Sequence, residues 1–288
     1  MAWKSRGISS RMLAPFVVLA AVMSLVLTPG TASSADKQKP PKPPRAHVVL
    51  WNTLDGSRAI AHSRVGPAGT LTTGGFTQGR FGNAFTADFS QPFGLTFPAS
   101  VINNERGTIE FWAQLGPAFQ GGIQGGGGGQ PTFVAANDAA TDSFGWGMSF
   151  TDNNGLAGGG LTGGAGKCQL TSTSGFGGNR YEDVLGSAVH TWHHYALIWD
   201  SRGLAGIDDG TRGLAIFLDG VLVSSLWQIA PGCPPTFPAL SPGSTISLLG
   251  IDRINFGSAS IDNLIVWDCA TTTFHIDQMR PGKRPCIQ

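Results

Sequence analysis

Apolar-rich segments alternate with turn residues along most of this 288-residue chain. They recur at 46–51, 83–88, 93–97, 107–115, 132–136 and 144–151, and again at 192–200, 213–219, 221–227, 245–251 and 259–267. Short runs rich in Val, Ile, Phe, Trp and Thr, bounded by Gly, Pro, Asn or Asp, are the pattern of β-strands. None sustains a 3.6-residue period, and no helical pattern separates them, which predicts antiparallel sheets rather than βαβ units. The expected fold class is therefore all-β, an antiparallel two-sheet β-sandwich. Asp219-Gly220, between Ala215–Leu218 and Val221–Val223, marks a hairpin, because Asp-Gly readily takes the positive φ angles of a two-residue turn. The glycine-rich stretches 121–129 and 153–180 read as loops, the second pinned by Cys168.

The first 35 residues break this pattern. Lys4, Arg6 and Arg11 precede an apolar run, Met12 to Leu27, interrupted only by Pro15 and Ser24. Thr31-Ala32-Ser33-Ser34-Ala35 then supplies small residues, completing the order of a secretory signal peptide cleaved after Ala35. The apolar run approaches the ~18 residues that span a bilayer, so an uncleaved anchor is the competing reading. Pro29-Gly30 and the small residues favour cleavage, no later segment reads as a membrane span, and a secreted mature protein is expected. Residues 36–45 form a basic, proline-rich linker, extended and solvated. Residues 46–288 are of a size that all-β folds reach as one domain.

Setting signal and linker aside changes the charge. The whole chain carries a formal +1, but residues 46–288 hold 12 Lys and Arg against 17 Asp and Glu. A domain of that sign has no basic footprint for a phosphate backbone, which argues against nucleic acid as a partner. All four cysteines follow the signal, and an even number in an exported chain points to two disulfides. The expected pairs are Cys168–Cys233, tying the glycine-rich excursion to the loop after the hairpin, and Cys269–Cys286, closing a C-terminal extension over 269–288.

Five stretches together resemble the bacterial laminin-G-like jelly-roll family of the concanavalin-A-like lectin/glucanase superfamily. Val49-Leu50-Trp51 with Leu54-Asp55-Gly56 looks like the opening strand and its turn, and Gly79-Arg80-Phe81-Gly82-Asn83-Ala84-Phe85 is similar to the approach to the second. Gly107 to Trp112 resembles the strand that usually ends in Trp, and Thr191-Trp192-His193-His194-Tyr195-Ala196 matches the W-H-H pattern, followed by Ile216 to Val221. Ser260 to Trp267 looks like the closing strand. In this order, over most of the domain, the pieces imply the fold. They do not imply a ligand, because the sandwich hosts lectins, adhesion domains and glucanases alike.

The candidate chemistry is sparse. His190, His193 and His194 surround Trp192, but adjacent residues on a strand face opposite ways, and the family pattern implies a structural role. Glu105 and Glu110 have the outer spacing of the superfamily's E-x-D-x-x-E glucanase signature, yet Gly107 takes the place of the aspartate. A retaining pair needs carboxyls ~5–5.5 Å apart with separated pKa values, and Arg106 and Gly107 do not supply that setting. Asp262 shares strand parity with Leu264 and Val266, with Ile261, Ile265 and Trp267 on the other face. In related β-glucanases a matching aspartate binds structural calcium, so the resemblance implies a calcium ligand here. The residues alone leave that open against a backbone-bonded carboxylate. Trp146, Trp227 and Tyr181 lie outside the matched motifs and are the candidates for stacking on a sugar ring. The resulting expectation is a binding protein rather than an enzyme, with a polysaccharide or glycan ligand. A protein-binding adhesion domain and a divergent glycoside hydrolase are the alternatives.

Overall fold

The computed structural model describes residues 45–88, 94–116, 132–139, 143–150, 156–162, 168–173, 191–207, 213–223, 226–229, 239–250, 258–272, 274 and 281–287. Lys42–Gln288 clusters as one compact unit, whereas the unit Met1–Pro41 lies outside the described residues. The strands are β1 (Val48–Asn52), β2 (Thr70–Leu71), β3 (Gly75–Gln78), β4 (Asn83–Asp88), β5 (Leu95–Pro98), β6 (Arg106–Leu115), β7 (Thr132–Asp138) and β8 (Ser143–Phe150). They continue with β9 (Leu156–Thr162), β10 (Cys168–Thr173), β11 (His193–Asp200), β12 (Leu214–Leu218), β13 (Val221–Leu222), β14 (Leu226–Ile229), β15 (Thr245–Gly250) and β16 (Ser258–Trp267). A single α-helical turn, α1 (Ser57–Ala61), follows β1. No helix among the described residues is long and apolar enough to cross a membrane.

The strands form the expected two antiparallel sheets. One runs β13-β12-β11-β6-β16-β4-β3, with β1 also paired to β16; the other runs β14-β10-β9-β8-β7-β15-β5-β2. The last strand organises the first sheet: one half of β16 pairs with β4, Ile261 opposite Phe85, and the other with β1, Leu50 opposite Val266. Between the two sheets Phe111 of β6 stacks on Tyr195 of β11 at 5.6 Å between ring centroids, and Phe133 of β7 closes on Tyr195 at 4.8 Å. Fully burying one such aromatic contributes roughly 1.5–3 kcal/mol, so this trio is a principal clamp between the layers. At the hairpin Asp219 and Gly220 have φ of 49° and 78°, the backbone a two-residue turn requires.

Three expectations need correction. Residues 153–180 are not simply a loop, because Leu156–Thr162 and Cys168–Thr173 are strands paired to each other and, through β9, to β8. Glycine weakens a strand but keeps both ladder hydrogen bonds, so Gly158, Gly159 and Gly160 extend a sheet already templated by β8. Residues 221–227 divide into two edge strands, one in each sheet. The parity assigned to β16 is also wrong. A bulge between Asp262 and Ile265, with Asn263 at φ 54°, shifts the register. Ile261 thereby joins Leu264 and Val266 in the main core, and Ile265 and Trp267 pack in a separate cluster with Ala46 and Cys269. One extra residue in a strand exchanges its faces. The 121–129 stretch lies outside the described residues.

Candidate functional site

The central strands of the first sheet are buried on both sides. Its inner face meets the second sheet, while residues 201–207 and the C-terminal tail cover its outer face. Glu110 lies under that tail, about 1% exposed. Its Oε1 accepts from Arg284 Nη1 at 2.7 Å and Trp267 Nε1 at 2.8 Å, and its Oε2 accepts from His194 Nε2 at 3.0 Å. The guanidinium of Arg284 lies over the Trp267 ring, 4.5 Å from its centroid. Burial alone would raise the pKa of Glu110, but the His194 hydrogen bond and charge, reinforced by Arg284, hold it down at about 2. The tail is fastened by the Cys269–Cys286 disulfide and by the Ile287 N–H donating to the Ala270 carbonyl at 2.8 Å.

This arrangement removes Glu110 from hydrolytic chemistry. A carboxylate that already accepts three hydrogen bonds in a closed site has no route to a sugar. Gly107 is explained by sterics: a side chain there would enter the indole of Trp199, whose Nε1 donates to the Asn103 carbonyl at 2.8 Å. The aspartate of the glucanase signature has no room. Glu105 precedes β6 and is exposed.

The two described histidines of the Trp192 cluster part as strand geometry demands. His194 joins Glu110, and His193 Nδ1 pairs with Asp219 Oδ2 at 2.6 Å, with Thr191 Oγ1 at 2.7 Å from its Nε2. Asp219 Oδ1 also accepts from the His194 N–H at 2.8 Å, so the carboxylate ties the hairpin turn to the start of β11. Burial would raise the pKa of Asp219, but the His193 hydrogen bond, the His194 N–H and both imidazole charges outweigh it and lower it. His190 lies outside the described residues.

Asp262 sits in the β16 bulge, fully buried. Its Oδ2 accepts from the Phe81 N–H at 2.7 Å and its Oδ1 from Asn263 Nδ2 at 3.0 Å. Burial pushes its carboxyl up to about 7; the charge of Asp55 adds to the rise, and the N–H groups of Phe81, Arg80 and Asn263 oppose it. Asp55 Oδ1 accepts from the Asn83 N–H at 3.0 Å. The Gly79–Gly82 loop passes against both acids: a Cβ on Gly79 would lie 2.6 Å from Asp262 Oδ2, and one on Gly82 would strike Asp55 Oδ1. The two carboxylates are hard oxygen donors of the kind a calcium-type cation takes. The one three-residue cluster of possible ligands among the described residues, Asp268 with Cys269 and Cys286, offers no such set, because its sulfurs are bonded to each other.

Of the stacking candidates, Trp146 lies in β8, its backbone opposite Ala136 and Gly160. Trp227 lies in the edge strand β14 opposite Ser172, and Tyr181 is outside the described residues, as is Cys233 of the expected Cys168–Cys233 pair. A cavity of about 610 Å³ lies at the other end of the second sheet. Thr70, Thr96 and Thr245 alternate with Leu71, Leu95, Phe97 and Ile246 of the core and so face outward. They line the cavity together with Ser100, Ile102, Leu240 and Pro242. Isolated threonines in short strands carry no sequence signal for such a site.

No family model matches the chain, and no curated protein matches its sequence. Its fold is similar to those of clostridial toxin binding domains. The receptor-binding domain of botulinum neurotoxin D matches at a TM-score of 0.50 and 10% identity, over 77% of this chain and 49% of that one. The binding domain of Paraclostridial Mosquitocidal Protein 1 matches at 0.51 and 13%, over 78% and 49%. The serotype D ligand-binding domain in complex with N-acetylneuraminic acid matches at 0.50 and 13%, over 77% and 48%. This chain therefore spans about half the length of each. Such identities establish a shared β-sandwich, and these neighbours are binding domains.

Proposed function

We propose that this chain is a secreted, non-catalytic binding protein of the laminin-G-like, concanavalin-A-like type, and that its ligand is an extracellular or cell-wall glycan. The observation that carries the reading is the open, hydroxyl-lined cavity on the outer face of the second sheet. The burial of Glu110 removes the one carboxylate pair with glycosidase spacing, and a fold neighbour solved with N-acetylneuraminic acid supports saccharide as a ligand class for this sandwich. Each sugar hydroxyl exchanges water for protein at a gain of only ~0.5–1.5 kcal/mol, so the affinity expected is micromolar to millimolar. Trp146, Trp227 and Tyr181 are proposed to add stacking surface. A glycan array run beside a reducing-sugar assay tests the reading. Binding without sugar release supports it. Sugar release that Glu105→Gln abolishes makes the protein a hydrolase, and silence across the array with a captured protein partner makes it an adhesion domain.

We also infer that Asp262 and Asp55 together hold a structural calcium ion. The support is a buried carboxylate met by N–H groups alone, beside a second carboxylate and against a loop whose two ends, Gly79 and Gly82, have no room for a side chain. Bound there, the ion would fasten β16, β1 and the Gly79–Gly82 loop together. Its role would be architectural.

A further inference from the structure

The cavity on the second sheet has one feature that selects among glycans: none of the described residues lining it is ionisable. Its polar side chains are hydroxyls, those of three threonines and of Ser100, Ser241 and Ser244, and the amide of Asn104, set among Ile102, Leu240 and prolines. Thr70 and Thr96 are cross-strand partners, and their side chains, like that of Ser100, have no hydrogen-bond partner among the described residues. Thr245 Oγ1 reaches only Ser247 Oγ, at 3.4 Å. These hydroxyls donate and accept alike, which matches a ligand whose own groups do both.

A carboxylate or sulfate entering the cavity would shed water and meet no cation, and an ammonium group would meet no anion. Either transfer is costly without a compensating charge. An uncharged polyol exchanges its water hydrogen bonds one for one, and its C–H faces lie against Ile102 and Leu240. The volume, about 610 Å³, falls inside the ~300–1,000 Å³ range of pockets that take small ligands.

We propose that this cavity is the glycan subsite and that it takes a short, neutral saccharide, discriminating against sialylated, uronic and sulfated sugars. The inference rests on the glycan-binding reading and narrows it to one site and one charge class. Its prediction departs from the neurotoxin neighbour solved with the acidic sugar N-acetylneuraminic acid.

The test measures binding of neutral di- to tetrasaccharides, and of acidic ones of the same length, to the full chain by calorimetry. Thr96→Val and Thr245→Val keep side-chain shape and remove the hydroxyl, and each is expected to weaken neutral-sugar binding about two- to tenfold. Ser100→Trp, at an exposed lining position, fills the cavity without touching the core and is expected to abolish binding. Unchanged melting temperatures exclude unfolding as the cause. If neutral sugars bind equally well to all three variants, this site is wrong and the glycan reading stands. Binding confined to acidic sugars overturns the charge class. A wild type that binds no glycan at all overturns both readings.

Discussion

Replacing Arg284 with Met removes the guanidinium that pairs with Glu110 and lies over the Trp267 ring, while keeping an apolar stem. A pKa of about 2 for Glu110, against 4.5 for a free side chain, corresponds to about 3 kcal/mol of preference for the ionised form in the fold. Truncating one partner of a buried ion pair costs ~3–5 kcal/mol in other proteins, a consistent figure. In a chain of this size about 3 kcal/mol lowers the melting temperature by roughly 6–12 °C. Because the folded pKa is depressed, the contribution is fully present above pH 4.5 and is lost as pH falls through about 2. Wild type should therefore lose stability over that acid window, and Arg284→Met should lose less there, because only the His194 share of the depression remains. Glu110→Gln should also destabilise, since it leaves Arg284 buried without its counter-charge. The double variant Glu110→Gln/Arg284→Met contains neither charge, so it should lose less than the sum of the two single losses. Thermal denaturation of all four proteins at pH 7 and pH 3 measures this. Additive losses at pH 7, or an Arg284→Met protein melting within a degree of wild type, would refute the reasoning.

Other outcomes follow from single contacts. Gly107→Ala should destabilise by several kcal/mol in chemical denaturation, because its Cβ would enter the ring of Trp199; an unchanged midpoint means the indole can yield. Millimolar Ca²⁺ should raise the melting temperature of wild type over EDTA, by an amount equivalent to about 2.7 kcal/mol at a hundredfold excess over Kd. It should leave Asp262→Ala unmoved, and equal melting in every condition removes the ion. Replacing Cys269 and Cys286 by Ser opens a loop of sequence separation 17 and should cost about 3 kcal/mol, read as a shift of the urea midpoint. Among the stacking candidates, Trp146→Ala and Trp227→Ala should lower glycan affinity without lowering stability if the rings are platforms, and should lower stability by several kcal/mol if they are core.

The fold class was legible in the chain because a strand buried on one face is a local pattern: eleven apolar runs and one Asp-Gly turn suffice for an antiparallel sandwich. The W-H-H stretch and the closing strand were equally legible as framework, since they combine an apolar rhythm with residues that turn or cap it. Other elements were not. The glycines of Leu156–Thr162 carry no side-chain rhythm, and the backbone of the neighbouring strand made them a strand. Asn263 reads as one more strand position, but the bulge around it exchanged the faces of Ile261 and Asp262 relative to the residues that follow. That required β1 and β4 both to claim the same edge of β16.

The sites divide in the same way. The sequence by itself determined that Glu105 and Glu110 lack the central aspartate of a glucanase, and that Asp262 is a carboxylate in apolar company. Only the tertiary structure decided what those groups meet. Glu110 finds Arg284 from 174 residues away, and Asp262 stands beside Asp55 and a glycine loop from the far end of the domain. The hydroxyls of Thr70, Thr96 and Thr245 come from three adjacent strands, Thr70 opposite Thr96 and Thr245 opposite Pro98. The reason is physical. Periodicity records whether a residue is buried, because burial acts on each position separately. Compensation of a buried charge and convergence of hydroxyls on one cavity are properties of pairs and clusters, which exist only once the strands are in register.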